Sequence, residues 1–89
     1  MNISDKPLQN TDTAVRKIED AFYVMHPDTS ELHNFNDVGA RVWERVDGQR
    51  TVAEIAAVIA GEYEVELAVA ETDILAFLDE LLHKDLISV

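Results

Sequence analysis

The chain has 89 residues, 47% of them hydrophobic and 28% charged, and reads as one globular domain with a small core. It contains no cysteine, which excludes disulfides, thiolate metal sites, iron–sulfur ligation and cysteine nucleophiles. Its 18 acidic against 7 basic side chains give a net charge of −11, a balance that repels a polyanion unless the few cations cluster.

The opening "MNISDKPLQNTDT", residues 1–13, is polar and lacks the apolar stretch of a secretory signal, so a flexible arm is expected there. Residues 14–89 are expected to form the folded domain. Ala14 to Phe35 has strand character. "AVRKI" is a first strand, Glu19-Asp20 a short loop, and "AFYVM" a second strand rich in aromatic and branched residues. "PDTS", residues 27–30, has turn chemistry: Pro presets φ, and Asp, Thr and Ser can bond the local backbone. "ELHNF" is then the third strand of an antiparallel meander.

The remainder reads as helical. Asn36 suits an N-cap, with Asp37 in the first turn where an acid complements the helix dipole. Val38, Val42, Trp43 and Val46 recur at helical spacing, and Asp47-Gly48 stops this helix. Thr51-Val52-Ala53-Glu54 has the form of a capping box opening a second helix. Val52, Ile55, Ala56, Ile59 and Tyr63 are its apolar stripe, and Gly61 falls near its end. The third helix spans roughly Glu66 to Lys84. Leu67, Ala70, Ile74, Phe77 and Leu81 make one stripe and Leu75, Leu78 and Leu82 an adjoining one. The combined arc, roughly 160°, is wider than core packing needs. "LISV" is a terminal strand or tail. The fold class expected is α+β: a winged-helix-turn-helix-like domain, a three-stranded antiparallel β-meander followed by three α-helices.

No catalytic machinery stands out. His26, His33 and His83 are the only histidines, and none lies three or four residues from another. They read as solvent-facing or edge-strand side chains, with no metal and no cofactor. No Gly-x-Ser-x-Gly elbow occurs, and the three glycines are too far apart to cradle a phosphate. Glu62, Glu64, Glu66, Asp73, Asp79 and Glu80 read as a solvated acidic face. A winged-helix DNA-binding transcriptional regulator is the alternative raised by the helix-turn-helix. It would need a basic recognition helix, but the third helix offers Lys84 alone, and Arg41, Arg45 and Arg50 are interleaved with Glu44 and Asp47. An acyl carrier would need a serine opening a helix, and no Asp-Ser-Leu step is present.

Binding is left. A short third strand at a sheet edge exposes backbone groups that can receive another strand, and a wide apolar arc beside it makes a groove for an extended peptide.

The ordered series Asn36, Gly39-Ala40, Val42-Trp43, Gly48, Thr51-Val52-Glu54-Ile55, Tyr63-Val65 and Asp73-Phe77-Leu78-Leu81 resembles the PqqD-like proteins, also called RiPP recognition elements. The resemblance covers about residues 14–88. Phe35 stands where the family commonly has leucine, Asp85 where a glycine often ends the third helix, and Leu67-Ala68 where Pro-Glu is common. The resemblance implies a non-catalytic winged-helix-like adaptor. Such a protein binds the leader of a ribosomally made precursor peptide and presents it to a modifying enzyme, often a radical SAM protein. By that resemblance the leader adds to the third strand and packs on the third helix. Its contacts would be Glu31, Leu32, His33, Asn34 and Phe35 from the strand and Asp73, Phe77, Glu80 and Leu81 from the helix. The expected partners are the precursor peptide and that enzyme, with no nucleic acid and no membrane. The expected state is a cytoplasmic monomer or domain-swapped homodimer.

Overall fold

A computed structural model describes residues 1–26 and 28–89. The elements run β1 (Leu8–Gln9), β2 (Ala14–Ile18), β3 (Ala21–Met25), β4 (Leu32–Phe35), α1 (Asp37–Glu44), α2 (Val52–Tyr63), α3 (Leu67–His83) and β5 (Ile87–Ser88). β2, β3 and β4 form an antiparallel sheet in that order, and three helices follow, so the α+β meander-then-helices architecture is the one observed.

The meander is built by two tight connections. Between β2 and β3, Glu19 takes a left-handed φ of 56°. Of the turn expected over residues 27–30, Pro27 lies outside the described residues. Around it, His26 N–H donates to Glu31 C=O at 3.0 Å, and Ser30, at φ 58°, donates to His26 C=O at 3.1 Å. His26 is not solvent-facing, as its sequence context suggested, but buried. Its Nδ1 accepts the Asp28 and Thr29 N–H groups at 3.1 and 3.3 Å, so the imidazole staples the turn as an Asx side chain would.

α1 and α2 begin where their cap chemistry dictates, while Glu66 at the start of α3 makes no side-chain cap bond. Asn36 Oδ1 accepts the Gly39 N–H at 2.7 Å. Thr51 and Glu54 form a reciprocal box, Glu54 N–H to Thr51 Oγ1 at 3.1 Å and Thr51 N–H to Glu54 Oε1 at 3.0 Å. α3 ends in a Schellman motif: Leu86 N–H donates to Leu81 C=O and Asp85 N–H to Leu82 C=O, at 3.0 and 3.1 Å. Asp85 occupies its left-handed position at φ 59°, a conformation that glycine adopts without strain. Leu86 and Leu81 are both buried beneath the motif.

The core lies between sheet and helices. Val24 and Phe35 meet Val42 and Trp43 of α1, Ile55 and Ile59 of α2, and Ile74, Leu78 and Leu81 of α3. Leu67 does not join its expected stripe; it is 49% exposed at the α2–α3 corner, because the core reaches α3 only from Ala70 onward. The segment expected as a free arm is laid across the helices. Pro7 is buried, its C=O accepts the Gly48 N–H at 2.8 Å, and β1 pairs with β5. "LISV" therefore ends as a paired strand.

Candidate functional site

The register of the sheet fixes what its edge offers. His26 and Glu31 are a hydrogen-bonded pair, and the alternation of antiparallel ladders makes Val24–His33 and Phe22–Phe35 hydrogen-bonded pairs too. His33 and Phe35 thus spend their backbone groups on β3. The N–H and C=O of Leu32 and Asn34 point to the open side of β4, with no strand beside them. The side chains alternate the opposite way: Phe35 is buried and His33 half-buried toward the helices, while Leu32 and Asn34 are exposed.

α3 walls this edge. Phe77 packs edge-on against Phe35, ring centroids 5.3 Å apart, and Phe35 in turn meets Trp43 at 5.7 Å and Phe22 at 6.0 Å. Gly39 of α1 allows this approach. A Cβ there would lie 3.3 Å from Phe77 Cζ and 3.2 Å from Asn36 Oδ1. The Phe35–Phe77 pair divides the groove into two cavities. One, of about 280 Å³, is bounded by Leu32, His33, Asn34, Phe35, Phe77, Glu80, Leu81 and Lys84. The other, of about 400 Å³, is bounded by Asn34, Phe35, Asn36, Val38, Gly39, Val42, Asp73, Ile74 and Phe77.

Eight of the nine residues named from the sequence thus come together around one or other cavity. Glu31 does not line either; it sits just before β4, exposed, with its carboxylate 3.9 Å from His33 Nε2. The α1 wall, Val38, Gly39 and Val42, escaped the sequence reading, which noted only the helical spacing of these valines. Val42 is buried, but Val38 is half-exposed and faces the groove. Lys84 was also missed; it holds Glu80 at 3.0 Å.

A larger cleft, of about 780 Å³, lies at the β2–β3 turn against the start of α1. Its walls mix apolar side chains (Ile18, Phe22, Phe35) with charges of both signs (Lys17, Glu19, Asp20, Asp37, Arg41, Glu44), and it lies at the β2–β3 turn rather than along the open side of β4, so size alone does not make it the better site. Among the described residues no group of three or more His, Asp or Glu side chains could hold a metal ion, and no helix is long and apolar enough to cross a membrane.

Known proteins share this arrangement. The family model for coenzyme PQQ synthesis protein D matches residues 22–87. The chain belongs to the PqqD family. The matched span takes in β4, all three helices and the groove between them, and leaves out β1 and β2. Among solved structures, the PqqD truncation of Methylobacterium extorquens PqqCD, described as a functional and stand-alone RiPP recognition element, superposes with a TM-score of 0.84 at 27% identity. It covers 99% of this chain and 94% of its own. TbiB1 in complex with the TbiA(beta) leader peptide gives 0.81 at 26% identity, over 91% of this chain and 94% of its own. A lasso peptide synthetase B1 complexed with its leader peptide gives 0.83 at 23% identity, over 94% and 99%, a likeness of fold. No curated protein sequence matches the chain.

Proposed function

We propose that this protein is a non-catalytic adaptor that binds the leader of a ribosomally synthesised precursor peptide and presents it to a modifying enzyme. The observation that carries the reading is the unpaired β4 edge running beside an apolar wall of α3. An extended leader would bond to the free N–H and C=O groups of Leu32 and Asn34, continuing the antiparallel sheet, and would turn alternate side chains toward Phe35 and Phe77. Backbone bonds supply affinity for any extended chain, and the two cavities supply discrimination. Family membership supports this, as do the leader-bound state of TbiB1 and the description of the Methylobacterium domain as a recognition element.

The enzyme served would be a radical SAM protein, and the meeting place the cytoplasm, where a ribosomal precursor is available before export. Among the described residues, neither cavity is lined by a serine, threonine or tyrosine. The domain's part is to hold the substrate near the enzyme and so raise its effective concentration.

A DNA-binding role lacks its electrostatics. The exposed face of α3 carries Asp73, Asp79 and Glu80, and its terminal cation Lys84 is already paired with Glu80. Arg45 is held by Glu62 at 2.8 Å and Arg50 by Asp47 at 3.6 Å.

The test is titration with the leader of the precursor encoded beside the gene, followed by amide NMR. Micromolar binding with the Leu32 and Asn34 amides among the most shifted is expected. No binding at tens of micromolar, or shifts confined to β2, would sink the reading.

A further inference from the structure

We propose that the groove reads two leader side chains, two positions apart and unlike in chemistry: a large apolar one beside Phe35 and a basic one beside His33. The proposal rests on the reading that a leader strand adds to β4 and specifies which leaders fit.

The spacing follows from the register. If Leu32 and Asn34 exchange hydrogen bonds with the incoming strand, the residues opposite His33 and Phe35 fall in non-hydrogen-bonded pairs. Cα atoms in such pairs approach to about 4.5 Å, and their side chains lie on the same face. That face is the one His33 and Phe35 turn toward α3. Two successive inward positions on a strand are i and i+2.

The two stations differ. Beside Phe35 lies the larger cavity, with Val42 and Ile74 buried at its floor, Phe77 at its side, and Gly39 contributing no side chain. Only Asp73 brings a charge to its rim. An apolar side chain entering there removes area from water, at about 25 cal/mol per Å². Beside His33 the cavity is smaller, and its charged walls are Glu80 and Lys84, 3.0 Å apart, with Glu31 at 3.9 Å from the imidazole. Glu80 and Lys84 offset each other on the cavity wall, and Glu31, just outside it, adds a carboxylate beside the imidazole, so the surroundings of His33 hold two carboxylates against one ammonium, in a chain whose net charge is −11. A glutamate from the peptide would meet Glu80 and Glu31. A lysine or arginine would complete the set. Antiparallel addition fixes the order, because the strand that opposes Phe35 first reaches His33 two residues later. The pattern is apolar, any residue, basic.

Synthetic nine-residue peptides test this, with threonine and serine flanks around a central Leu-Thr-Lys, Leu-Thr-Gln, Leu-Thr-Glu, Ser-Thr-Lys or Lys-Thr-Leu. Each is titrated into the full chain and followed by the Leu32 and Asn34 amides. Affinity should fall from Lys to Gln to Glu by about two- to fivefold per step at low salt, converging near 1 M salt. Glu80→Lys should invert the order, and Ser-Thr-Lys should bind at least tenfold more weakly than Leu-Thr-Lys, about the value of one buried apolar side chain. If no peptide moves the Leu32 and Asn34 amides, the strand-addition reading itself fails. If the amides move but Lys, Gln and Glu bind alike, or Lys-Thr-Leu outbinds Leu-Thr-Lys, strand addition stands and the two-station code is overturned.

Discussion

The sheet has two free edges, and they are not alike. On β2 the open-side backbone groups belong to Val15 and Lys17, since Ala14, Arg16 and Ile18 face β3 in the register. All five β2 residues are exposed, so neither face of the strand is covered. Arg16 and Lys17 make no ion pair among the described residues. Charges so placed on an edge blunt pairing with other chains. β4 carries no Asp, Glu, Lys or Arg from Leu32 to Phe35, and α1 and α3 stand beside it. Both edges offer the same backbone bonds. β2 offers only its own exposed Val15 and Ile18, whereas β4 adds the walls of α1 and α3, so on the proposed function the wall, not the edge, would make the site.

The most direct way to break this comparison is to remove one outward N–H from each edge. Asn34→Pro leaves the β3–β4 ladder intact, because the lost N–H faces outward, where edge prolines are tolerated. Leader affinity should drop at least tenfold, from a lost hydrogen bond and a ring set against the incoming strand. Lys17→Pro makes the equivalent change on β2 and should alter affinity by less than about twofold. Calorimetric titration of both variants decides it. Equal losses would show that either edge can receive the leader.

A second variant acts on the wall. Gly39→Ala improves helix propensity by about 1 kcal/mol, yet its Cβ would press on Phe77 and on the capping Asn36. We expect a net destabilisation of about 1 kcal/mol, within the 1–3 kcal/mol of overpacked sites. Leader affinity should weaken about threefold as Phe77 shifts into the larger cavity, roughly half of a 1.4 kcal/mol decade. Urea denaturation and the same titration measure both. Gly39→Ala with unchanged affinity would separate Phe77 from the binding wall.

Much of this was legible in the chain because local chemistry and global fold agree. The Thr51–Glu54 box, the Asn36 cap and the β-rich run "AFYVM" each name their element without tertiary help. The strand and α3 contacts were legible because an edge strand and an over-wide apolar arc both lack a partner. What was not legible depends on approach between distant elements. Val38 has the same helical spacing as Val42, and only the packing of α1 beside Phe77 shows that both line the groove, Val42 buried at its floor and Val38 at its open side. The docking of residues 1–9 turns on Pro7 and on backbone bonds to Gly48, Val52 and Ala53, which no local pattern encodes. His26 reads as a polar residue after a strand, and its burial follows from the turn it accepts bonds from.

The comparison sharpens if α3 can be steadied without touching either edge. Asp85 holds a left-handed φ of 59° in the cap of that helix, a conformation that costs a non-glycine residue about 1–2 kcal/mol. Glycine removes that strain but loses more chain entropy on folding, so Asp85→Gly should stabilise the fold by about 0.5–1 kcal/mol. The Asn10 side chain bonds the Asp85 carbonyl, which the substitution keeps. Leader affinity should not change. A gain in affinity would mean that fraying of α3 limits binding.

The smallest effect lies at the start of α2, outside both cavities, and serves as their control. The Thr51 N–H, donating to Glu54, holds the Glu54 carboxyl below its ordinary 4.5, with the Thr51 hydroxyl adding to it. A carboxyl whose folded pKa is depressed contributes stability above its unfolded pKa and loses it as pH falls through the folded value. Glu54→Gln keeps an amide able to accept the same bond but removes the charge that suits a helix start. The variant should therefore be slightly less stable than the parent at pH 7, and the gap should close as pH falls through the lowered folded pKa and the parent carboxyl becomes neutral. Paired urea curves from pH 7 down into the acid range read the gap directly. A gap that persists unchanged at the acid end would assign the cost to side-chain shape rather than charge. Because Glu54 is exposed and lines neither cavity, leader affinity at pH 7 should be the same in both chains, which keeps stability and edge recognition separate.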